Sequence, residues 1–293
     1  TTDEVFAPPY HPYTQALLEA ETPVVTIVGK SWDFHVSEAL KITLEQNLQI
    51  VAESIEYLKS KGREVVFDAE HFFDGYRENP EYALLVARTA GDAGADWIVL
   101  CDTNGGSLPS LISEVSARVC SIFPRVGIHA HNDSELAVAN SLASVDAGSR
   151  MVQGTINGYG ERVGNANLTS IIPNLELKMN LDAVGKARLA ELSSLAFFVS
   201  ETANVRLPNT LPYVGKSAFA HKGGIHVSAI LKDNRTYEHI SPELVGNNRR
   251  VLVSDLSGKS NLLYKIRELG DFDTEKLDLS PLLKHIKKME YEG

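Results

Sequence analysis

This sequence of 293 residues has only two cysteines and no run of basic residues. The first feature excludes a disulfide-rich class of protein, and the second argues against a nucleic-acid-binding one. The two cysteines, Cys101 and Cys120, cannot build a disulfide framework, so we expect a reducing, cytoplasmic setting. The net charge of −10 and the lack of a lysine or arginine run argue against a nucleic-acid surface. No apolar run reaches the roughly 18 residues of a membrane span, so we expect no membrane partner.

The chain does contain a repeated unit, in which a short apolar run, a polar stretch and an amphipathic helix follow one another. Hydrophobic residues make up 43% of the sequence, which is enough for a sizeable core. The apolar runs are short and rich in β-branched residues, so they predict five strands, at Val24–Val28, Val65–Phe67, Trp97–Cys101, Val126–Ile128 and Met151–Val152. The alternation of strands with helices predicts a parallel sheet.

Helix signals lie between and after these strands. Thr43 and Gln46 have the spacing of a capping box, and Gly62 follows the helix that they begin. Further helices are predicted at Asn79–Ala93, Pro109–Ile122, Glu135–Ala147, Leu168–Met179 and Lys186–Asn204.

Two architectures fit such a sheet, an open doubly wound sheet and a (β/α)8 TIM barrel. Nearly every strand ends in polar residues, and a barrel gathers its site from many strand ends, whereas an open sheet uses one switch point. We therefore predict an α/β fold of the barrel type that lacks its first strands. The predicted domains are an irregular lead-in at residues 1–20, a partial barrel at 21–204, and a linker with a small α+β or helical subdomain at 205–293.

The sharpest signal for chemistry is the pair His129 and His131 at the end of the fourth strand. Residues i and i+2 of a strand point to the same side, so both imidazoles face the barrel interior at its catalytic rim. Two neutral imidazoles in that position suit a divalent metal. The alternative is a pair of core histidines with satisfied hydrogen bonds.

The fifth strand runs into a glycine-rich loop at residues 154–165. Its glycines leave the backbone open to a ligand, and Asn165 offers an amide oxygen to a hard cation such as Mg²⁺ or Mn²⁺. Glu161 and Arg162 lie in the same loop, where they either serve a ligand or form a structural ion pair with each other.

Polar side chains also end two earlier strands. By alternation Asp68 and Glu70 share one side of their strand and His71 takes the other. A carboxylate within reach of a metal-bound substrate could take or hold a proton, and Glu70 is the first candidate, against a purely structural role. The next strand ends at Asp102–Asn104, and Cys101 before it is predicted to be core.

The segments His129–Asp133 and Glu161–Asn165 resemble the isopropylmalate, homocitrate and citramalate synthase family, which belongs with the metal-dependent lyases related to HMG-CoA lyase. The likeness extends along most of the chain, through Ala220–Val227 in the predicted subdomain. Asp68–Gly75 and Asp102–Gly106 look most like the citramalate-synthase branch.

This resemblance implies a reaction, a cofactor and a set of residues. The reaction is a Claisen-type condensation of acetyl-CoA with a 2-oxo acid, pyruvate first, at a divalent metal (Mg, Mn or Zn), as in isoleucine or leucine biosynthesis. A homodimer is also expected. The implied metal ligands are His129, His131 and Asn165; the catalytic residues Glu70, His221, Tyr237 and Glu161; and the substrate-binding residues Thr103, Asp68, Asn104, Arg162 and Gly164.

Several alternatives stay open. An isopropylmalate or homocitrate synthase would take a different 2-oxo acid. An HMG-CoA-lyase-like enzyme would run the carbon–carbon chemistry in reverse, although the segment around His221 favours a synthase. The family's Asp-x-x-x-Arg-Asp-Gly strand, which supplies an arginine and a metal-binding aspartate, has no counterpart in this sequence, so an incomplete, inactive fragment or a scaffold chain is also possible.

Replacing both His129 and His131 with alanine is expected to abolish divalent-metal binding, because their spacing makes them the first two ligands. Titration calorimetry with Mn²⁺ measures the loss. An unchanged affinity would rule out a metal between these imidazoles.

Overall fold

The computed structural model describes residues 11–253, 258–270 and 278–292. The chain divides into two compact units, Thr1–Ile171 and Ile172–Gly293. The first unit contains a parallel sheet of five strands, which are β1 (Val24–Lys30), β2 (Glu64–Glu70), β3 (Trp97–Asp102), β4 (Val126–Ala130) and β5 (Met151–Gln153). All five lie where the sequence predicts them.

The strands of this sheet are arranged in chain order, from β1 to β5, and each neighbouring pair is parallel. A doubly wound sheet reverses its strand order at a switch point, whereas a barrel adds its strands one after another. The five described strands contain no such reversal. Their order is therefore that of a barrel.

The sheet also curves toward one face. Asp68 on β2 and Gln153 on β5 lie three strand intervals apart, yet Gln153 Nε2 donates a hydrogen bond of 2.8 Å to Asp68 Oδ1. Strands lie about 4.8 Å apart, so a flat sheet would separate the two backbones by about 14 Å. Two side chains of this length cannot span that gap, and the strands must curl toward the face that carries them.

The opposite face packs against helices. Phe67, Leu100 and Ile128 lie on it and are fully buried. At Gly29 a Cβ atom would collide with the Phe67 ring and approach Val51 of the following helix, so the glycine permits this close packing. An apolar layer therefore lies between sheet and helices. The concave face carries buried valines, Val66 and Val99, and polar side chains toward its carboxyl end.

Three helices of the first unit begin at signals found in the sequence. Thr43 Oγ1 accepts a hydrogen bond of 3.1 Å from Gln46 N, and Gln46 Oε1 accepts one of 2.9 Å from Thr43 N, which completes the predicted capping box. Pro80 and Pro109 each begin a helix, where a missing N–H costs nothing. The helices are α1 (Pro12–Glu19), α2 (Leu44–Ser60), α3 (Phe72–Glu78), α4 (Pro80–Asp92), α5 (Pro109–Cys120) and α6 (Ala137–Asp146), with a π-helical turn at His35–Leu40; α7 (Leu168–Leu177) follows across the unit boundary.

The second unit is mostly helical, with a parallel pair of short strands. Its elements are α8 (Lys186–Leu189), α9 (Leu192–Thr202), β6 (Ala220–His221), α10 (Gly224–Ile230), β7 (Arg250–Val251), α11 (Lys259–Leu269) and α12 (Ser280–Glu292). Leu189, Leu192, Tyr213 and Phe219 belong to its apolar core. In the part of the chain that the structure describes, no helix is long and apolar enough to cross a membrane.

Two sequence predictions are wrong. The lead-in at 1–20 was expected to be irregular because of its prolines, but Pro12 occupies the first turn of α1, where proline is favoured; Pro8 and Pro9 lie outside the described residues. The helix expected at Lys186–Asn204 is two helices, α8 and α9. The domain boundary at 204/205 stays a prediction, since the compact units divide at 171/172.

Replacing Thr43 with alanine removes the acceptor for Gln46 N and is expected to lower the free energy of unfolding by about 1 kcal/mol. Urea unfolding followed by circular dichroism measures the change. Gln49→Ala, on the exposed side of the same helix, is the matched control and should change stability by less than about 0.5 kcal/mol. Equal effects of the two substitutions would contradict a capping role for Thr43.

Candidate active site

Polar side chains form a row across the carboxyl ends of the strands. Lys30 is in register with Glu70, Cys101 with His129, and His129 with Gln153. Neighbours in register on a parallel sheet point to the same face. The row therefore lies on the concave face, as a barrel active site requires.

His129 is held by a chain of two hydrogen bonds. Its Nδ1 lies 2.7 Å from Gln153 Oε1, and Gln153 Nε2 donates to Asp68 Oδ1 at 2.8 Å. Burial raises the pKa of the Asp68 carboxyl above its ordinary value, while the hydrogen bond from Gln153 opposes that rise. Asp68, predicted to bind substrate, thus supports a predicted metal ligand through Gln153, which the sequence reasoning missed.

His131 and Asn165 complete the cluster. The two residues form a β-bridge, and the imidazole rings of His129 and His131 have centroids 5.1 Å apart. His131 Nδ1 and Asn165 Oδ1 are buried with no hydrogen-bond partner among the residues that the structure describes. Burial, together with His129 and Arg162, lowers the pKa of His131, which favours its neutral form.

These three side chains fit a divalent cation. Neutral imidazoles and an amide oxygen are suitable donors, and two buried donor atoms otherwise lack a partner. Asn165 Nδ2 lies 3.5 Å from His129 Nε2, so the amide group of Asn165 lies beside the His129 ring. Within residues 11–253, 258–270 and 278–292, no three His, Cys, Asp or Glu side chains form a metal-binding group. The donor set present is two imidazoles and one amide.

Glu70 is paired rather than free. Its carboxylate forms an ion pair with Lys30, its neighbour on β1, and its carbonyl oxygen accepts a 2.6 Å hydrogen bond from Ser31 Oγ. The pair lies at the carboxyl ends of β1 and β2, and both side chains are partly buried. A proton-transfer role for Glu70 stays a prediction, and Lys30 is a charged neighbour that the sequence did not reveal.

A buried carboxylate, Asp74, organises the ends of β2 and β3. It accepts hydrogen bonds from Asn104 Nδ2 at 3.0 Å and Arg77 at 2.8 Å, and contacts His71 Nδ1 at 3.0 Å. The His71 backbone N–H donates to Thr103 Oγ1 at 2.8 Å. Asn104 and Thr103, both predicted to bind substrate, are therefore fixed by α3.

Asp102 faces away from the row, whereas Cys101 lies in the row and its thiol donates to the Val99 carbonyl oxygen at 3.8 Å. The Asp102 carboxylate is buried toward α5 and α6, where it accepts hydrogen bonds from Ser107 Oγ at 2.8 Å and Asn140 at 3.3 Å. Cys101 is buried, as predicted, and its burial raises the pKa of its thiol.

Arg162 fastens the glycine-rich loop to two other strand ends. Its guanidinium donates to both carboxylate oxygens of Asp133, at 2.7 and 2.8 Å, and to the Thr103 carbonyl oxygen at 2.7 Å. The hydrogen bonds from Arg162 hold the pKa of Asp133 below its ordinary value. Arg162 thus pairs with Asp133 rather than with Glu161, which is exposed.

Gly164 is required by the shape of this loop. Its φ is +104°, and a Cβ atom there would overlap the Gly158 carbonyl oxygen. Its own carbonyl oxygen accepts a 3.0 Å hydrogen bond from Asn132 N. Gly164 therefore shapes the turn that presents Asn165, and its predicted contact with substrate stays a prediction.

In the second unit the two histidines of the segment Ala220–Val227 have different surroundings. His221 Nε2 lies 3.2 Å from Glu238 Oε1, and Glu238 also accepts hydrogen bonds of 2.6 and 2.5 Å from Arg249. His226, which the sequence reasoning left out, is exposed and stacks on Tyr237 with ring centroids 4.2 Å apart. Tyr237 is therefore beside His226 rather than paired with His221.

Two family models match consecutive parts of the chain. An HMGL-like family model matches residues 10–196, and a homocitrate synthase post-HMGL domain-like model matches residues 213–293. The predicted boundary at 204/205 lies in the gap between them.

Curated relatives are similar over almost the whole chain. An (R)-citramalate synthase of Aquifex aeolicus is 59% identical over 285 residues, which cover 96% of this chain and 54% of that protein. One from Synechocystis is 52% identical over 95% of this chain and 53% of its own length. Homocitrate synthase AksA of Methanopyrus kandleri is 37% identical over 91% of this chain and 66% of that protein. The chain spans about half the length of the citramalate synthases that it matches.

Among solved structures, HMG-CoA lyase from Bacillus subtilis superposes with a TM-score of 0.59 at 19% identity, over 68% of this chain and 70% of that one. This likeness supports the fold alone, and with the HMGL-like match it confirms the predicted TIM-barrel class.

Replacing Arg162 with alanine is expected to loosen residues 154–165 without unfolding the protein, because exposed ion pairs contribute only about 0–1 kcal/mol. Amide hydrogen exchange should become faster in this loop while the melting temperature changes little. Arg118→Ala, which removes an exposed contact with the Tyr76 hydroxyl, is the control and should leave the loop unaffected. Unchanged loop exchange in Arg162→Ala would contradict the fastening role.

Proposed function

The chain belongs to the HMGL-like family, and from this membership we propose that it catalyses the condensation of acetyl-CoA with a 2-oxo acid, pyruvate in particular, to give citramalate. The observation that carries the proposal is the 59% identity, over nearly the whole chain, to a protein named (R)-citramalate synthase. The cluster at the strand ends supports it, because its donors suit a divalent cation.

We infer that His129, His131 and Asn165 hold this cation. When bound, a divalent metal polarises the carbonyl group of the oxo acid and stabilises the negative charge that develops on its oxygen. Asp68 and Gln153 keep His129 in place. Glu70, Lys30 and Thr103 lie at the carboxyl ends of neighbouring strands and would orient the oxo acid.

The reaction needs one carbon–carbon bond and one hydrolysis. A base removes a proton from the acetyl methyl group, the resulting enolate carbon attacks the carbonyl carbon of pyruvate, and a proton neutralises the new alkoxide. Water then cleaves the thioester, which releases CoA. The chain's own contribution is to position the oxo acid and to move these protons.

For the proton transfer we favour His226 over the predicted His221. His226 is exposed and stacks on Tyr237, whereas His221 is held against Glu238, whose other partner is Arg249. An exposed imidazole beside a phenol can accept and return a proton, while His221 is better suited to supporting the local structure. A homodimer stays a prediction.

A synthase is preferred to a lyase because a second unit follows the barrel and matches the homocitrate synthase post-HMGL model. The direct test is a thiol-release assay with acetyl-CoA and a panel of 2-oxo acids. We expect CoA release with pyruvate, and less with branched or dicarboxylic oxo acids. Cleavage of a 3-hydroxyacyl-CoA, with no release from acetyl-CoA and any oxo acid, would support the lyase alternative instead.

His226→Ala is expected to lower kcat by about 100- to 10,000-fold with little change in the KM for pyruvate, since an acid–base group acts chiefly in the transition state. His221→Ala should mainly lower the melting temperature. Steady-state kinetics and thermal melts on the two variants separate the roles. The reverse pattern, with kcat lost only in His221→Ala, would restore His221 as the catalytic residue.

A further inference from the structure

We propose that Gln153 is a positioning residue that fixes His129 in one tautomer, with its proton on Nδ1 and its lone pair on Nε2. Gln153 ends β5 and bridges two residues from other strands. Its amide lies 2.8 Å from Asp68 Oδ1 on one side and 2.7 Å from His129 Nδ1 on the other. Nothing in the sequence pattern or in the resemblance assigned it a role.

The assignment follows from the asymmetry of the amide group. A primary amide has one donor end and one acceptor end, whereas an ionised carboxylate can only accept. The NH₂ group of Gln153 must therefore face Asp68, which leaves its oxygen facing His129. An oxygen cannot donate, so His129 Nδ1 has to carry the hydrogen.

The reverse arrangement is disfavoured by burial. If the amide turned over, its oxygen would face the carboxylate of Asp68, and two acceptors would lie against each other. Asp68 is only 7% exposed, so water has little access to relieve that contact. The orientation of Gln153 is thus set by Asp68, 85 residues away in sequence.

The consequence is a preformed metal-binding atom. With hydrogen on Nδ1, His129 Nε2 keeps its lone pair, and this atom lies beside Asn165, 3.5 Å from its amide nitrogen. A histidine's tautomer is set by the hydrogen bond that its other nitrogen makes. His131 differs, because its Nδ1 has no partner among the described residues. Only one of the two imidazoles is therefore fixed in advance.

The tautomer of His129 follows from its hydrogen bonds alone, while its consequence for a metal rests on the proposed function. The tautomer and the metal affinity can be measured separately. Nitrogen-15 NMR of metal-free protein with labelled histidine reports which ring nitrogen carries hydrogen. Binding of Mn²⁺, followed by electron paramagnetic resonance, reports the affinity.

Two variants break the bridge at different points. Gln153→Met keeps a side chain of similar size but removes the oxygen that accepts the hydrogen bond from His129. Asp68→Asn replaces a carboxylate, which can only accept, with an amide that can also donate. In that variant the amide group of Gln153 can adopt either orientation. Gln49→Met, on the exposed side of α2, is the matched control. Near-ultraviolet circular dichroism checks that each variant is folded.

In the unmodified protein and in Gln49→Met we expect His129 to be present as the Nδ1–H form alone. Both bridge variants should show a mixture of tautomers, and their Mn²⁺ affinity should fall by about 10- to 100-fold. An Nε2–H form in the unmodified protein, or a pure Nδ1–H form in both folded variants, would overturn the inference. A confirmed tautomer without Mn²⁺ binding in the unmodified protein would instead refute the proposed metal site.

Discussion

The site depends on the curvature of one parallel sheet. Parallel strands present their carboxyl ends at one edge, and alternation sends every second side chain to one face, but a flat sheet would keep distant strands apart. Curling brings Asp68 on β2 within hydrogen-bond distance of Gln153 on β5, and through it orients His129 on β4. The polar cluster therefore results from the curvature of the backbone.

Around that cluster the polar groups stabilise one another. The buried carboxylate of Asp74 has partners in His71 and Asn104, because a buried charge without a partner is costly. At the surface Asp133 pairs with Arg162, which also bonds to the Thr103 carbonyl oxygen, so that three strand-end loops are tied together. Two atoms of the site differ from this pattern. His131 Nδ1 and Asn165 Oδ1 are buried without a partner among the described residues, and the two residues form a β-bridge. Buried polar atoms of this kind call for an explanation, and a bound cation would supply one.

Much of this was predictable from the sequence, and the reasons are local. The strands, the capping box of Thr43 and the same-side pair His129 and His131 all follow from short-range periodicity, and the family resemblance is confirmed over almost the whole chain. The role of Gln153 was not predictable, because it depends on a hydrogen bond to Asp68, which lies 85 residues away in sequence. The sequence also offered no reason to consider His226 beside His221, since both lie in one segment and only packing against Tyr237 distinguishes them; the catalytic role of His221 stays a prediction.

The claim that the strand-end cluster is a metal centre is tested most directly by crystals of the protein soaked in zinc, with data collected at the zinc absorption edge. The account predicts a single strong anomalous peak bonded to ring nitrogens of both His129 and His131, with Asn165 beside it. A well-occupied zinc peak elsewhere, with the space between these two imidazoles empty, would contradict the account.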